Sequence, residues 1–95
     1  MNNEAVSDEA TTPRLRRGVK FRFDETRQAW VLLAPEKLFT PEGTAIEVLK
    51  RVDGARTLGE IIDDLASVFQ APRDLIAKDV AAMLRDLEAK GAVSL

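Results

Sequence analysis

The stretch LAPEKLFTPEG, residues 33–43, is where the chain changes its pattern. Before it, apolar residues recur at every second position. After it, they recur every three or four positions. Pro35 and Pro41 bracket the run Glu36-Lys37-Leu38-Phe39-Thr40. That run is too short for a helix and alternates weakly, so it reads as a short strand over 36–40. Proline has no amide to give to a ladder, so Pro35 ends whatever strand comes before it. Thr40 can cap a helix whose first position is Pro41, with Glu42 favourable near the positive helix end.

Upstream, VKFRFD (19–24) alternates strictly, with Val19, Phe21 and Phe23 on one face and Lys20 and Arg22 on the other. This is the pattern of a half-buried strand. DETR (24–27) is a polar turn, and QAWVLLA (28–34) is the returning strand of a hairpin. Ala29, Val31 and Leu33 are expected on its core face, leaving Trp30 and Leu32 on the other. Residues 1–13 are polar and read as a disordered tail, with the domain proper spanning 14–95.

Downstream, three helices are expected. Ala45, Ile46, Leu49 and Val52 form the apolar stripe of the first, which Gly54 stops in a left-handed cap. Thr57 and Glu60 have the spacing of a capping box. They open a second helix with Ile61, Ile62, Leu65, Val68 and Phe69 inward. Pro72 starts the third, which carries a broad apolar face of Leu75, Ile76, Val80, Met83, Leu84 and Leu87 and stops at Gly91. Strands and helices are segregated, β-β-β-α-α-α. The fold class is α+β, a three-stranded antiparallel sheet followed by three helices, and so small a sheet must lean on the helices.

Composition narrows the chemistry. The 95 residues suffice for one modest core, and apolar residues make up 45%. There is no Cys, His or Tyr, which removes disulfides, thiolate metal sites, the commonest general base and the usual catalytic dyads. Ser7, Ser67 and Ser94 lie in no nucleophile elbow. A catalytic role is not expected, and neither is a metal or other cofactor. No apolar run approaches the roughly 20 residues that span a bilayer. The opening residues lack the basic and apolar regions of a signal peptide. No membrane association and a cytoplasmic location are the expectations. The net charge is −2, from 14 basic and 16 acidic residues. Basic residues gather early, at Arg14, Arg16, Arg17, Lys20, Arg22 and Arg27, either as a solvated strand face or as a patch for a partner.

VLLAPEKLF, TAIEVLKRVDGARTLGEI and IAKDVAAMLRDLEAKGAV together resemble the pyrroloquinoline quinone biosynthesis protein D family, over about residues 15–95. The order and spacing of VLL-x-PE, TA-x-x-(I/V)-L, DG-x-RT and the last helix carry the likeness. One departure is Pro41-Glu42, where the family usually has Leu-Asn. The resemblance implies a winged helix-turn-helix peptide-recognition domain. It implies a non-catalytic chaperone that binds a ribosomal precursor peptide and presents it to a radical S-adenosylmethionine iron-sulfur enzyme. It further implies that the peptide pairs as an extra strand beside the third strand and packs against the last helix.

On that basis Lys37, Leu38, Phe39, Leu75, Ile76, Asp79, Val80 and Met83 are the expected peptide contacts, with Lys78 and Arg85 at the rim. Phe39 and Val80 also read as plain core, and Lys37 as a charge that guards an edge strand. Arg14, Arg16, Arg17 and Trp30 are the expected enzyme contacts. An open edge can also pair with a second copy, so a homodimer by strand exchange is allowed. A winged-helix DNA-binding protein is the competing function. No nucleic acid is expected, because the third helix balances Arg73, Lys78, Arg85 and Lys90 against Asp74, Asp79, Asp86 and Glu88.

Overall fold

The computed structural model describes residues 9–95. In chain order the elements are β1 (Arg14–Leu15), β2 (Lys20–Asp24), β3 (Ala29–Ala34), β4 (Lys37–Phe39), α1 (Thr44–Leu49), α2 (Leu58–Phe69), α3 (Arg73–Ala89) and β5 (Val93–Ser94). β2, β3 and β4 form a three-stranded antiparallel sheet with β3 in the middle. The helices follow it, so the expected α+β order holds.

The β2–β3 hairpin is closed by its own turn chemistry. Asp24 accepts hydrogen bonds from the amides of Thr26 and Arg27, and Gln28 takes up a left-handed φ of 55°. Short acidic side chains favour such turns because they replace missing backbone partners. The register sets Phe21 opposite Leu32 and Phe23 opposite Trp30. Directly opposed residues share a face, so Trp30 and Leu32 lie with Val19 and Phe21 on the core side. This reverses the faces expected for β3. Both alternating sets of that strand are apolar, so only the pairing partner decides between them. Val31 is nonetheless fully buried, on the far face of the central strand.

β4 is shorter than expected, 37–39 rather than 36–40. Ala34 pairs with Lys37, so Pro35 and Glu36 form a two-residue turn. α1 begins at Thr44 rather than Pro41. Gly43 stands before it with φ 58° and ψ −127°, a conformation that no helix can run through. Thr40 therefore caps nothing.

The capping box forms as expected. The Glu60 amide donates to Thr57 Oγ1 at 3.2 Å and the Thr57 amide donates to Glu60 Oε1 at 2.8 Å. Thr57→Ala should cost about 1 kcal/mol, read as a lower urea midpoint with an unchanged slope. Just upstream, Asp53 accepts from the amides of Arg56 and Ala55, both at 2.9 Å. These bonds hold its carboxyl below the usual range. Gly54 has φ 76° and its amide donates to the Pro13 carbonyl. The DG-x-RT motif is thus a scaffold for the α1–α2 turn.

Arg51 ties the same region together. Its guanidinium donates to Asp64 on α2 and to the Glu47 carboxylate and carbonyl on α1. The hydrogen bond from Arg51 lowers the pKa of both Asp64 and Glu47. The clamp is therefore present above the ordinary carboxylate range and is lost as pH falls through the lowered one.

The core joins Val19 and Leu32 of the sheet side to Val48, Leu49, Leu58, Ile61, Ile62, Leu65, Ile76, Val80, Leu84 and Leu87 of the helices. Val68 and Phe69, expected inward, are 54% and 41% exposed. They continue the buried stripe of α2, but the helix outruns the core that would cover them.

A second ladder completes the fold. β1 pairs with β5, setting Arg14 opposite Ser94 and Leu15 opposite Val93. Gly91, with φ 83°, turns the chain out of α3 and back into this ladder. Residues 9–13, placed in the expected tail, lie against the helices: Thr11 accepts from the Leu58 amide at 2.8 Å, and Pro13 is fully buried. The rest of that tail, 1–8, lies outside the described residues.

Candidate functional site

β4 is the edge of its sheet, and among the described residues nothing pairs with its outer side. Beside it, Phe39, Thr40 and Pro41 face Met83 and Asp86 of α3 and its C-cap residue Lys90 across a groove of about 240 Å³. Leu32, Ala45, Leu49 and Leu87 form its floor. Pocketed small-molecule sites run to about 300–1,000 Å³, so this space suits peptide side chains better than a whole compact ligand.

The expected contacts divide by burial. Phe39 and Met83 meet in the groove, each half-buried against the core. Lys37 is exposed and shares the face of Phe39 by alternation. Leu38 is 42% exposed, but it pairs with Leu33 and so turns its side chain to the opposite face of the sheet. It can offer the groove only its backbone. Ile76 and Val80 are buried at 8% and 1% exposure, and belong to the core that holds α3 in place. Leu75 and Asp79 are exposed on α3, outside the groove lining, with Leu75 at 52% exposure.

Asp86, Lys90, Thr40, Pro41 and Ala45 were missed by the reading of the sequence. The spacing signal existed for two of them: Asp86 and Lys90 follow Met83 on one side of α3, at i+3 and i+7. Lys90 Nζ meets Asp86 Oδ2 at 2.9 Å, with both side chains about half exposed. Such pairs contribute little to stability, so they open cheaply for a ligand.

Trp30, expected as an exposed contact, is half-buried. Phe21 stacks on it with centroids 4.8 Å apart, and Phe23 meets its edge at 5.7 Å. Lys50 Nζ lies 5.1 Å from the ring centroid. Arg14, Arg16 and Arg17 are exposed together around β1. Lys78 and Arg85 lie away from the β4 groove, lining a hollow of about 370 Å³ between α2 and α3. Arg73 in that hollow is bound by Glu9 and Asp63, which hold it firmly charged.

A small antiparallel sheet with one open edge, backed by three helices and a groove along the last of them, defines a winged-helix-like domain. The chain belongs to the coenzyme PQQ synthesis protein D (PqqD) family, whose sequence profile matches residues 29–93. A PqqA binding protein of Rhodopseudomonas palustris (strain BisB5) is 53% identical over 83 residues, covering 87% of this chain and 81% of that one. The solution NMR structure of the PqqD truncation of Methylobacterium extorquens PqqCD is 42% identical, with a TM-score of 0.74 over 87% of this chain and 88% of that one. It is described as a functional, stand-alone recognition element for ribosomally synthesized and post-translationally modified peptides. A lasso peptide synthetase B1 shares the fold at 20% identity, with a TM-score of 0.75 over 90% of this chain and all of that one.

Proposed function

We propose that this protein binds the PQQ precursor peptide as an added strand on β4 and presents it to the radical S-adenosylmethionine enzyme of that pathway. The observation that carries the reading is the open outer edge of β4 beside the Phe39–Met83 groove. Backbone pairing supplies affinity with little regard to sequence, and the groove selects the side chain that turns inward. Lys37, Asp86 and Lys90 give the rim mixed charge, and Asp79 lies just beyond the lining, about one helical turn before Met83 on the same side of α3. Arg14, Arg16, Arg17 and Trp30 are the proposed contacts for the enzyme. The protein acts as a binding module without a catalytic step of its own. Homologues named as binding proteins support that role.

Among the described residues no helix is long and apolar enough to cross a membrane. A cytoplasmic site of action fits a partner that handles a newly made peptide. DNA binding is disfavoured by α3 itself: Arg73 is bound by two carboxylates and Lys90 by a third. A recognition helix needs cations left over for phosphates.

Amide shift mapping of the full chain with the precursor peptide tests the reading. Changes should concentrate at 37–40 and on α3 from 79 to 90. Changes confined to β1 and β5, or none at peptide saturation, would refute it. Asp79→Lys should alter peptide affinity by about threefold or more, as charges bordering an interface do, while Glu47→Lys should not.

A further inference from the structure

The corner of the molecule around Trp30 carries a second concave surface. Leu15, Phe21, Trp30, Leu49, Lys50 and Val52 line an open hollow of about 340 Å³. Leu15 also lines an adjoining depression with Arg14, Arg16, Arg17 and Ser94. An aromatic cup and a basic shelf are thus continuous through one side chain.

Three guanidinium groups within four residues, Arg14, Arg16 and Arg17, set the charge here. Several cations elsewhere sit beside carboxylates: Arg27 with Asp24, Arg51 with Asp64, Arg56 with Asp53, Arg73 with Glu9. Among the described residues Arg14, Arg16 and Arg17 have no carboxylate within ion-pair distance. Three uncompensated guanidinium groups beside an apolar cup, on a chain of net charge −2, fit an acidic surface with an apolar side chain to insert.

We propose that this corner docks an acidic segment of the peptide-modifying enzyme, which seats one apolar side chain in the cup of Phe21, Trp30 and Leu49 and sets its carboxylates on Arg16 and Arg17. This rests on the function proposed above and specifies the surface through which the enzyme is engaged. Leu49 lines both this cup and the β4 groove. A partner seated here therefore lies next to the bound peptide, where presentation requires it.

Two other occupants fit less well. A nucleobase needs an open aromatic face. Phe21 already stacks on Trp30 and the Lys50 ammonium sits over the ring, so a base would have to displace one of them. A second copy related by a twofold axis through this corner would bring two arginine shelves together, and like charges oppose that pairing.

The test compares the full chain with Arg16→Glu/Arg17→Glu and with Lys50→Glu, titrated separately into the purified enzyme and the precursor peptide. None of these side chains belongs to the core, so the fold should hold. The double reversal should weaken enzyme affinity about tenfold or more at low salt, with the difference shrinking as salt rises. Lys50→Glu should weaken it less. Peptide affinity should stay within about twofold in both, because neither variant touches the β4 groove. Unchanged enzyme affinity in the double variant overturns the proposal, as does a wild-type chain with no affinity for the enzyme. Reversals that instead abolish binding to a random single-stranded oligonucleotide, or dissociate a dimer in sedimentation, overturn it in favour of those occupants. A wild-type chain that binds the enzyme but not the peptide would sink the peptide reading and leave the docking corner standing.

Discussion

Leu38→Pro should lower affinity for the precursor peptide about tenfold while leaving the helical circular dichroism signal nearly intact. The argument starts from the hairpin. Ala34 and Lys37 close a two-residue turn, and the closing pair of such a hairpin exchanges both of its backbone hydrogen bonds. The next pair, Leu33 and Leu38, therefore exchanges none. The amide and carbonyl of Leu38 point away from β3, toward the open side of the sheet. Among the three residues of β4, Leu38 alone presents its backbone to an incoming strand. Proline deletes that donor and puts a ring where the guest backbone would approach. It takes nothing from the ladder inside the sheet, and edge positions of this kind are where sheets tolerate proline. Phe39→Pro is the contrasting variant. The amide of Phe39 faces β3, so its loss should unravel β4 and lower stability as well. Calorimetry decides: a folded Leu38→Pro protein with unchanged peptide affinity would rule out strand addition at β4.

Apart from the bounds of α1, the sequence revealed the elements whose logic is local. Val19, Phe21 and Phe23 alternate because one face of β2 meets the core, and the strand lies where that alternation puts it. Thr57 and Glu60 cap α2 because their side chains reach backbone amides three residues away. Gly91 turns the chain out of α3 in a left-handed conformation, whereas α1 ends at Leu49 with Lys50 as its cap, so Gly54 is left-handed in the loop but stops no helix. What stayed hidden depends on partners far along the chain. β1 is two residues long and pairs with β5 some eighty residues later, so no local pattern announces it. The core face of β3 was ambiguous because both sets of its side chains are apolar. Val68 and Phe69 obey the helical period and yet are exposed, because period gives direction and not the extent of the cover.

The candidate site divides along the same line. Phe39 and Met83 were legible, since one follows the strand pattern and the other widens the apolar face of α3. Ile76 and Val80 share that face but point into the core. Asp86, Lys90 and Pro41 were not legible, because a groove wall is defined by what stands opposite. Pro41 is half-buried and lines the groove, and α1 starts only after Gly43. Pro41 thus forms part of one side of the groove, and the helix entry falls to Gly43.

Neighbouring residues of α3 should separate binding from folding. Leu84 is fully buried at the centre of the core. Leu84→Ala should cost about 2–5 kcal/mol, since removing a buried side chain loses its transfer energy and leaves a cavity. Stability in a domain of this size is only about 5–10 kcal/mol, so the thermal midpoint should fall by more than about 10 °C. At temperatures where the variant stays folded, its peptide affinity should match that of the parent, because Leu84 does not line the groove. Met83 sits one residue earlier, half-buried, and lines the groove with Phe39. A flexible, polarizable side chain adapts to whatever is inserted. Met83→Ala removes contacts made with the guest more than contacts made with the core. It should cost about 1 kcal/mol or less in stability and weaken peptide binding about fivefold or more. Urea unfolding and peptide titration on the same two proteins give four numbers. The pattern expected is a large stability loss with normal binding for Leu84→Ala and the reverse for Met83→Ala. Equal binding losses in both would mean that the guest reads the general integrity of α3, and the groove beside β4 would lose its standing as the site of selection.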